Sequence, residues 1–330
     1  MRSFEYDLPA EAIAQIPAEP RDAARLLVAT DPSGAVEHRR VSDLPDLLHE
    51  GDVLVVNDTR VLPARLLLRK PSGGEVEVLL LEPEGDNGSW QALVRPSRRL
   101  RAGTVIRAGD DLEIEIGDAL PEGRRIVHVR TSDLMASLDR HGVVPLPPYI
   151  HTPLSDPERY QTVYATEPGS VAAPTAGLHL TDALLERCRA RGAEIATVDL
   201  AVGLDTFRPV TTERVEDHHI HSERYAVPPE TLEACQKARR VVAVGTTTVR
   251  ALESAAVGPT EGRTSLFIHG DYPFQVVDAL LTNFHLPRSS LLLLLASFAG
   301  ERWRDLYRCA LAEGYRFLSF GDAMLVGRST

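Results

Sequence analysis

The sequence predicts an α/β protein in which a mostly parallel sheet core, flanked by helices, is interrupted by an inserted small β-barrel domain. The 330 residues are about twice a typical domain in length, and 43% hydrophobic and 25% charged residues are typical of a globular protein. Residues 65–150 contain short β-rich runs, whereas after residue 165 strands alternate with helices. The predicted division is therefore a discontinuous α/β catalytic core over 1–64 and 151–330 and an all-β, barrel-like insertion over 65–150.

The amino-terminal segment contributes one helix and one strand to this prediction. Leucines at helical spacing predict a helix over 41–50 that ends at Gly51. The apolar run 52–56 predicts a strand, and the polar run 57–60 follows it directly.

The inserted segment is predicted from runs of β-forming residues between Gly, Asn, Asp and Pro. The predicted strands are 75–81, 90–95, 104–107, 112–116 and 125–129. The proline-rich run 144–149 is the predicted exit linker.

The carboxyl-terminal half follows a strand–loop–helix pattern. The predicted helices are 182–191, 229–239, 249–256 and 301–313, and the predicted strands are 194–200, 241–244, 275–281 and 316–320. Ser289 or Ser290 is expected to cap the apolar helix that follows. Such alternation favours a mostly parallel sheet with helices on its faces.

Charge and cysteine content limit the partners and the compartment. The net charge of −11 is unusual for a protein that coats nucleic acid, so a polyanion would need a local basic patch. Three cysteines far apart in sequence form no disulfide or zinc pattern, which favours a reducing cytoplasmic setting. The longest apolar run, 291–299, is too short for a membrane helix, and no membrane partner is expected.

Polar residues follow several of the predicted strands, where ligands bind in α/β sheets. The candidate ligand-binding residues in these loops are Asn57, Thr59, Arg60, Asp205, Thr246, Thr247, Arg250, Asn283 and His285. The run 245–250 places hydroxyls and free N–H groups at a helix start, which suits a carboxylate or phosphate. The alternative is a threonine cap beside a closely packed glycine, and the P-loop lysine is missing.

Two further histidine-containing runs are candidates for acid–base chemistry. In 216–223, Asp217, His218 and His221 suit proton transfer or hydrogen bonding, with a solvated polar turn as the alternative. A metal site there is disfavoured because no distant ligand pair completes it. In 172–179, small residues allow a flat ligand to approach and direct His179 into a cavity, unless that histidine is simply buried.

A basic run in the insertion is the candidate nucleic-acid contact. Its arginines are Arg95, Arg98, Arg99, Arg101 and Arg107, with few acids between them. A solvated face and a surface that follows a phosphate backbone both fit this pattern.

Several long segments resemble the S-adenosylmethionine:tRNA ribosyltransferase-isomerase family of queuosine biosynthesis. The matching segments, in family order, are 54–65, 145–150, 160–164, 170–179, 216–223, 242–254, 276–287 and 321–324. The resemblance implies an α/β core interrupted by a β-barrel. It also implies a reaction in which S-adenosylmethionine is consumed as a ribosyl donor, with no metal or separate cofactor.

The implied acceptor is the aminomethyl group of 7-aminomethyl-7-deazaguanine at the wobble position of tRNA. The product is epoxyqueuosine-tRNA, with release of adenine and methionine, and the enzyme is expected to be a cytoplasmic monomer. The resemblance implies proton transfer by His179, His218, His221 and His285, with Asp217 or Glu216 orienting one of His218 and His221. Its implied substrate contacts are Asn57, Thr59, Arg60, Pro174, Thr175, Gly177, Asp205, Phe207, Thr246, Thr247, Arg250 and Asn283. The basic run of the insertion supplies the candidate tRNA contacts Arg95, Arg98, Arg99 and Arg101.

Two departures from the family pattern lie beside the expected site. Ala201 stands where the family has a histidine, and Asp205 stands where it has a glycine. The segment 268–273 replaces a Pro-Gly turn. Two alternatives therefore stay open, a diverged homologue that modifies a non-tRNA deazapurine or small amine and a catalytically idle tRNA-binding homologue.

Overall fold

The computed structural model describes residues 1–31, 34–70, 73–85, 87–203, 209–218 and 220–329, without the side chains of Arg2 and Arg99. The strands are, in chain order, β1 (Arg25–Ala29), β2 (Glu37–Arg40), β3 (Asp52–Asn57), β4 (Thr59–Val61), β5 (Arg65–Arg69), β6 (Glu75–Pro83), β7 (Ser89–Arg95), β8 (Val105–Ala108), β9 (Leu112–Ala119), β10 (Arg124–Arg130), β11 (Gly142–Val143), β12 (Glu167–Ser170), β13 (Glu194–Leu200), β14 (Glu223–Ala226), β15 (Arg240–Val244), β16 (Glu261–Thr264), β17 (Ala279–Asn283) and β18 (Ala323–Gly327). The helices are α1 (Leu44–Leu47), α2 (Leu134–His141), α3 (Asp182–Ala190), α4 (Pro229–Lys237), α5 (Thr246–Val257), α6 (Ser290–Ala299) and α7 (Trp303–Ala312).

The chain divides into two compact units. The larger unit consists of Met1–Arg60, Pro147–Glu167 and Ala173–Thr330, and the smaller unit of Val61–Leu146 and Pro168–Ala172. The sequence pattern places the limits at 64/65 and 150/151, four residues later along the chain, and assigns no residues near 170 to the insertion.

The larger unit contains a nine-stranded sheet with the order β16-β14-β13-β3-β15-β17-β18-β1-β2. The pairs β13–β3, β3–β15, β15–β17 and β18–β1 are parallel, and the other four described pairs are antiparallel. The α/β class is confirmed, but the expectation of a mostly parallel sheet is corrected to a mixed sheet. One cause is that two helices, α6 and α7, separate β17 from β18, so the chain returns running in the opposite direction.

The four neighbouring strands β13, β3, β15 and β17 form the parallel centre of this sheet. All six residues of β3 and all five of β17 are buried, as expected for strands covered on both faces. Leu54 and Val56 of β3 belong to one apolar cluster with Leu184 and Leu185 of α3. Burial of each such side chain contributes about 1.5–3 kcal/mol to the stability of the unit. This packing holds the ends of the four strands in fixed positions.

The smaller unit is an antiparallel sheet with the order β11-β5-β6-β7-β10-β9-β8. Buried and less buried residues alternate along β9 and β10, so one face of the sheet is packed. The five predicted strands are confirmed, while β5, β11 and α2 were not predicted. Among the described residues β11 and β8 are the two edge strands and do not pair with each other, so the predicted closed barrel is not confirmed.

Three predicted elements of the larger unit are wrong in extent or place. The predicted helix over 41–50 is α-helical only in α1, and the predicted strand 316–320 is replaced by β18. The strand predicted from residue 275 begins at Ala279 because the buried Glu253 carboxylate accepts the N–H groups of Gln275, Val276 and Val277 at 2.8–3.1 Å. Those N–H groups are therefore not available to a strand ladder.

Candidate active site

The ends of the parallel strands are joined by the Asn57 side chain at the end of β3. Its Nδ2 donates to the Leu200 carbonyl (3.0 Å) and the Thr247 hydroxyl (3.2 Å). Its Oδ1 accepts from the N–H groups of Leu200 (3.1 Å) and Thr59 (3.2 Å). Because the amide uses two donors and two acceptor positions, Asn57 fixes the ends of β13 and β3 against the start of α5.

The start of α5 follows β15 through a sharp turn at Gly245. This glycine has φ +91°, a value that L side chains rarely adopt, and its N–H donates to the Leu281 carbonyl of β17 at 2.8 Å. The Thr248 hydroxyl is used within the turn, where it donates to the Val244 carbonyl (2.7 Å). Thr246 and Thr247 are instead the buried hydroxyl residues that line a cavity.

His179, Asn283 and Thr175 form a buried hydrogen-bonded chain at this edge. The Thr175 hydroxyl donates to Asn283 Oδ1 (2.9 Å), and Asn283 Nδ2 lies 3.0 Å from His179 Nε2. With Nδ2 as donor, Nε2 is the acceptor, which places the imidazole proton on Nδ1. Burial, together with the charges of Arg316 and Arg21, lowers the pKa of His179 to about 4, so the ring is neutral at pH 7.

His285, two residues beyond β17, is held in a similar way. Its Nε2 lies 3.0 Å from the Thr282 hydroxyl, and its N–H donates to the Tyr307 hydroxyl at 2.8 Å. The Tyr6 hydroxyl donates to its carbonyl. Burial lowers the pKa of His285 to about 3, so this imidazole is also neutral at pH 7.

In the described part of the chain, two adjoining pockets lie beside Thr175, Asn283 and His285. His179, predicted to point into a cavity, lines neither of them and reaches the site through its hydrogen bond with Asn283. Their lining residues include 173–176, 245–247, 282–286 and Leu291, and both contain Thr175, Asn283 and His285. Their volumes are about 30 and 20 Å³, enough for a small polar group but not for a nucleoside. The predicted contacts Asp205 and Phe207 lie outside the described residues.

Gly177 and Pro174 position this wall in different ways. A Cβ on Gly177 would lie 2.0 Å from the Tyr164 hydroxyl, so the glycine is required by close packing against Tyr164. Pro174 lines one pocket and precedes the short 3₁₀ helix Thr175–His179. The sequence predicts that both residues let a flat ligand approach. Pro174 does line a pocket, whereas Gly177 packs against Tyr164 and lines neither, so a substrate contact by Gly177 stays a prediction.

Arg250 is occupied by protein groups. It forms a buried ion pair with Glu223, and its Nε donates to the Leu266 carbonyl at 3.1 Å. Glu223 also accepts the Gly203 N–H at 2.8 Å, which connects the pair to the loop after β13. Only Nη2 of the guanidinium is buried without a hydrogen-bond partner among the described residues. A substrate contact by Arg250 stays a prediction, limited to that nitrogen.

The remaining predicted residues of the larger unit lie outside the two pockets. Arg60 pairs with Glu158 (3.2 Å) and is 41% exposed, and Thr59 is buried beside Asn57. Asp217 is exposed, and the half-buried His218 packs edge-on against Phe267 with ring centres 5.3 Å apart. His221 is half-buried as well, and none of these residues lines the described pockets.

The loop that carries the arginine run of the smaller unit is held in place by a buried arginine, Arg125, which the sequence prediction missed. Arg95, Arg98 and Arg101 are exposed, and the Arg99 side chain is outside the description. The Arg125 guanidinium, 7% exposed, donates to the carbonyls of Ser97 (3.2 Å), Leu100 (2.7 Å) and Gly117 (2.7 Å). Arg125 thereby fixes the loop that carries the exposed arginines.

The described residues offer no metal site and no membrane segment. Within the described ranges, no group of three or more His, Cys, Asp or Glu side chains is placed to hold a metal ion. No helix among them is both long and apolar enough to cross a bilayer.

Comparison with known proteins first defines the class. A family model described as queuosine biosynthesis protein matches residues 1–326. The S-adenosylmethionine:tRNA ribosyltransferase-isomerase of Rubrobacter xylanophilus is 54% identical over 331 residues, which cover 99% of this chain and 98% of that protein. The protein of the same name from Thermus thermophilus is 52% identical over 345 residues, with 99% of each chain covered.

A solved structure agrees with these relatives. The crystal structure of S-adenosylmethionine tRNA ribosyltransferase from Thermotoga maritima matches with a TM-score of 0.57 and 37% identity, covering 98% of this chain and 99% of that one. The chain therefore belongs to the S-adenosylmethionine:tRNA ribosyltransferase-isomerase family, and the resemblance predicted from its motifs is confirmed.

Proposed function

We propose that this chain transfers and isomerises the ribosyl moiety of S-adenosylmethionine onto the aminomethyl group of 7-aminomethyl-7-deazaguanine at the tRNA wobble position. The product is epoxyqueuosine-tRNA, and adenine and methionine are released. Membership of the family over residues 1–326 supports this reaction. The observation in the structure that carries it is the convergence of 173–176, 245–247 and 282–285 on adjoining pockets lined by the neutral imidazole of His285.

The reaction sets physical demands on the site. The sulfonium acidifies the adjacent C5′–H of the ribose, a base removes that proton, and adenine departs. The acceptor amine, arriving neutral, then adds to the unsaturated sugar, and epoxide closure expels methionine. Water must be kept from the activated sugar, and the apolar lining residues Ala173, Ala176, Val202 and Leu291 support this exclusion.

The two buried histidines act as hydrogen-bonding groups in this scheme. A general base works best with a pKa near the working pH, whereas burial lowers the pKa values of His179 and His285 to about 4 and 3. Neutral imidazoles can donate or accept hydrogen bonds at ribose hydroxyls or adenine nitrogens without a charge cost. Thr246 and Thr247 supply hydroxyls to the same cavity, and Asn57 is a positioning residue for Thr247.

The tRNA is held by the exposed arginines of the smaller unit in this proposal. Arg95, Arg98 and Arg101 present guanidinium groups, which form bidentate contacts with phosphates, on a loop fixed by Arg125. No metal or separate cofactor is required, because the donor itself carries the reactive sulfonium. The predicted cytoplasmic location and monomeric state belong to the same proposal.

Adenine release tests the reaction directly. Purified protein, S-adenosylmethionine and tRNA with 7-aminomethyl-7-deazaguanine at the wobble position should yield adenine and epoxyqueuosine-tRNA. The control tRNA carries guanine at that position and should yield neither. Adenine release with a free deazapurine but not with tRNA would indicate the diverged homologue. Binding of tRNA and donor without adenine release would indicate an idle homologue.

A variant at Asn283 tests the placement of the site. Asn283→Leu removes the donor to His179 and the acceptor for Thr175, and we expect kcat/KM to fall about 10- to 100-fold. Thr248→Val is the matched control, because that buried hydroxyl bonds the Val244 carbonyl and lines neither pocket. Equal effects of the two variants would contradict the assignment. His218→Ala tests the sequence prediction that turnover, more than donor binding, depends on His218.

A further inference from the structure

A short loop between Arg316 and Asp322 forms part of the wall of the smaller pocket, whose volume is about 20 Å³. Asp322 joins the two ends of the loop, because its N–H donates to the Arg316 carbonyl (2.8 Å) and its Oδ2 accepts the Arg316 N–H (2.8 Å). Within the loop, the Leu318 N–H donates to the Phe284 carbonyl at 3.1 Å. Leu318 has φ +69°, a left-handed conformation that residues other than glycine rarely adopt. The loop is therefore held in a defined conformation, with Leu318 and Ser319 in the lining of the pocket.

Tyr149 lines the same pocket from a segment that Gln15 holds in place. Gln15 Nε2 donates to the Tyr149 carbonyl (2.9 Å), and Gln15 Oε1 accepts the His151 N–H (2.9 Å). The Tyr149 hydroxyl lies 2.7 Å from the Ser319 hydroxyl, and both residues line the pocket. Burial raises the pKa of Tyr149, so its hydroxyl keeps its proton at pH 7. Two hydroxyls held by separate parts of the larger unit thus meet at the pocket, and we call them the hydroxyl pair.

Ser319 keeps hydrogen-bonding capacity for a ligand. A serine hydroxyl has one donor and two acceptor positions, and the contact with Tyr149 uses one of these three. Ser319 is only 2% exposed, so bulk water has little access to the other two. Ser289 lines the pocket as well, but its hydroxyl donates to the Leu286 carbonyl (2.8 Å) and accepts the Leu292 N–H (3.2 Å). Ser319 is therefore the less occupied of the two serines, and a group inside the pocket can reach it.

The pocket suits a small neutral group. Its volume of about 20 Å³ has room for a group the size of one hydroxyl. The polar residues of its described lining carry hydroxyls, one amide and one imidazole that is neutral at pH 7: Tyr149, Ser289, Ser319, Thr175, Asn283 and His285. A carboxylate or an ammonium would lose its hydration there without meeting an opposite charge, which is unfavourable. A hydroxyl both donates and accepts, so it matches Ser319 whichever member of the hydroxyl pair donates to the other.

We propose that Ser319, together with Tyr149, binds one hydroxyl of the ribose of S-adenosylmethionine. The proposal rests on the function proposed above, in which this ribose is the part of the donor that is transferred and isomerised. The ribose carries two neutral neighbouring hydroxyls, whereas the methionine end of the donor is charged and adenine is too large for the volume. The adjoining pocket shares Asn283 and His285 with this one and contains the hydroxyl of Thr247, so further polar groups surround the same sugar. A ribose hydroxyl of the tRNA has the same chemistry, and the test separates the two sources.

The test measures the coupling between the hydroxyl pair and each hydroxyl of the donor. Dissociation constants of S-adenosylmethionine and of its 2′-deoxy and 3′-deoxy forms are determined by calorimetry for the wild type, Ser319→Ala and Tyr149→Phe. The affinity of the same proteins for tRNA with the aminomethyl deazaguanine is measured by filter binding. Tyr225→Phe is the matched control, because the Tyr225 hydroxyl donates to the Pro259 carbonyl and Tyr225 lines neither pocket. Urea unfolding checks that each variant is folded, and Tyr149→Phe carries the comparison if Ser319→Ala is not.

Each variant of the hydroxyl pair should bind the complete donor about 2- to 12-fold more weakly than the wild type, the range expected for one neutral hydrogen bond. With one of the two deoxy donors, the wild type and the variants should bind equally well, because the hydroxyl that the pair contacts is missing. The deoxy form that shows this equality identifies the bound hydroxyl. Tyr225→Phe should bind all three donors as the wild type does.

Three results would overturn the proposal. Equal losses with all three donors would mean that the substitutions act through the structure of the pocket wall. Unchanged binding of all three donors would mean that the hydroxyl pair does not contact the sugar. Weaker binding of tRNA with unchanged donor binding would assign the pair to a hydroxyl of the tRNA. A wild type that shows the coupling but releases no adenine would instead overturn the reaction proposed above, since the binding measurements do not depend on turnover.

Discussion

Replacing Arg250 with methionine should lower the free energy of unfolding of the larger unit. Any loss of affinity for the donor should follow from this loss of stability. Both members of the Arg250–Glu223 pair are buried, at 5% and 6% exposure, so the substitution leaves a carboxylate buried without its cation. Breaking such a pair from one side costs about 3–5 kcal/mol, which is about two to three and a half orders of magnitude in the unfolding equilibrium. For a unit of this size the melting temperature should fall by about 6–20 °C.

A double substitution separates the pair from other effects at the site. Glu223→Gln keeps an acceptor for the Gly203 N–H, which donates to Glu223 at 2.8 Å, and removes the charge that Arg250 balances. The double variant Arg250→Met, Glu223→Gln should therefore be more stable than the sum of the single losses, with a coupling of about 1–3 kcal/mol.

Tryptophan fluorescence in urea can report this loss for the larger unit alone. The chain has two tryptophans, Trp90 in the smaller unit and Trp303 in the larger one. A Trp90→Phe background leaves Trp303, which is 1% exposed, as the reporter. If Arg250→Met loses less than about 1 kcal/mol of stability and raises the dissociation constant of S-adenosylmethionine strongly, the reasoning is refuted. Arg250 would then contact the donor, as the sequence predicts.

Three other outcomes follow from the described contacts. The pKa values of His179 and His285 are lowered to about 4 and 3, so the stability that neutral imidazoles contribute should be complete above pH 6.5 and decline as the pH falls towards 4 in urea titrations. Gly177→Ala should cost about 1–3 kcal/mol because its Cβ would meet the Tyr164 hydroxyl at 2.0 Å, and adding Tyr164→Phe should recover part of the loss. Arg98→Ala should weaken tRNA binding and lower the slope of log K against log salt by about 1 in filter-binding titrations.

Each of these has a control or a contrary result within the same unit. Histidine-to-glutamine variants at 179 and 285 should flatten the acid limb, and an unchanged limb would place its origin elsewhere. A Gly177→Ala protein as stable as the wild type would mean that Tyr164 moves away without cost. Arg107 is exposed but paired with Glu113 at 2.8 Å, so Arg107→Ala should change the salt slope less than Arg98→Ala. Equal slopes would indicate that the arginines of 95–101 form a solvated surface and do not contact tRNA phosphates.

Local patterns predicted the elements that depend on neighbouring residues. The strand at 194–200 and the limits of most strands in the smaller unit follow from short-range hydrophobic patterns and turn residues. Ser289 caps α6 as predicted, accepting the Leu292 N–H at 3.2 Å, because a helix cap involves residues three apart. The sequence also predicted that the loops 57–60, 172–179, 216–223, 246–250 and 282–285 share one pocket. Among the described residues, 173–176, 245–247 and 282–285 line two small adjoining pockets, whereas 57–60 and 216–223 line neither, so the shared site stays a prediction.

What the sequence by itself determined is the α/β class, most of the elements and the family. What only the tertiary structure decided is which polar group in each loop is occupied by the protein. Asn57 bonds two strand ends, Arg250 pairs with Glu223, and Glu253 captures three N–H groups, all across separations of 22 residues or more. The relative direction of the strands β17 and β18 was also decided by the tertiary structure, because it depends on the path of the chain through α6 and α7. Hydrogen bonds and burial depend on distances in space. For residues this far apart in the sequence, only the packed fold sets those distances.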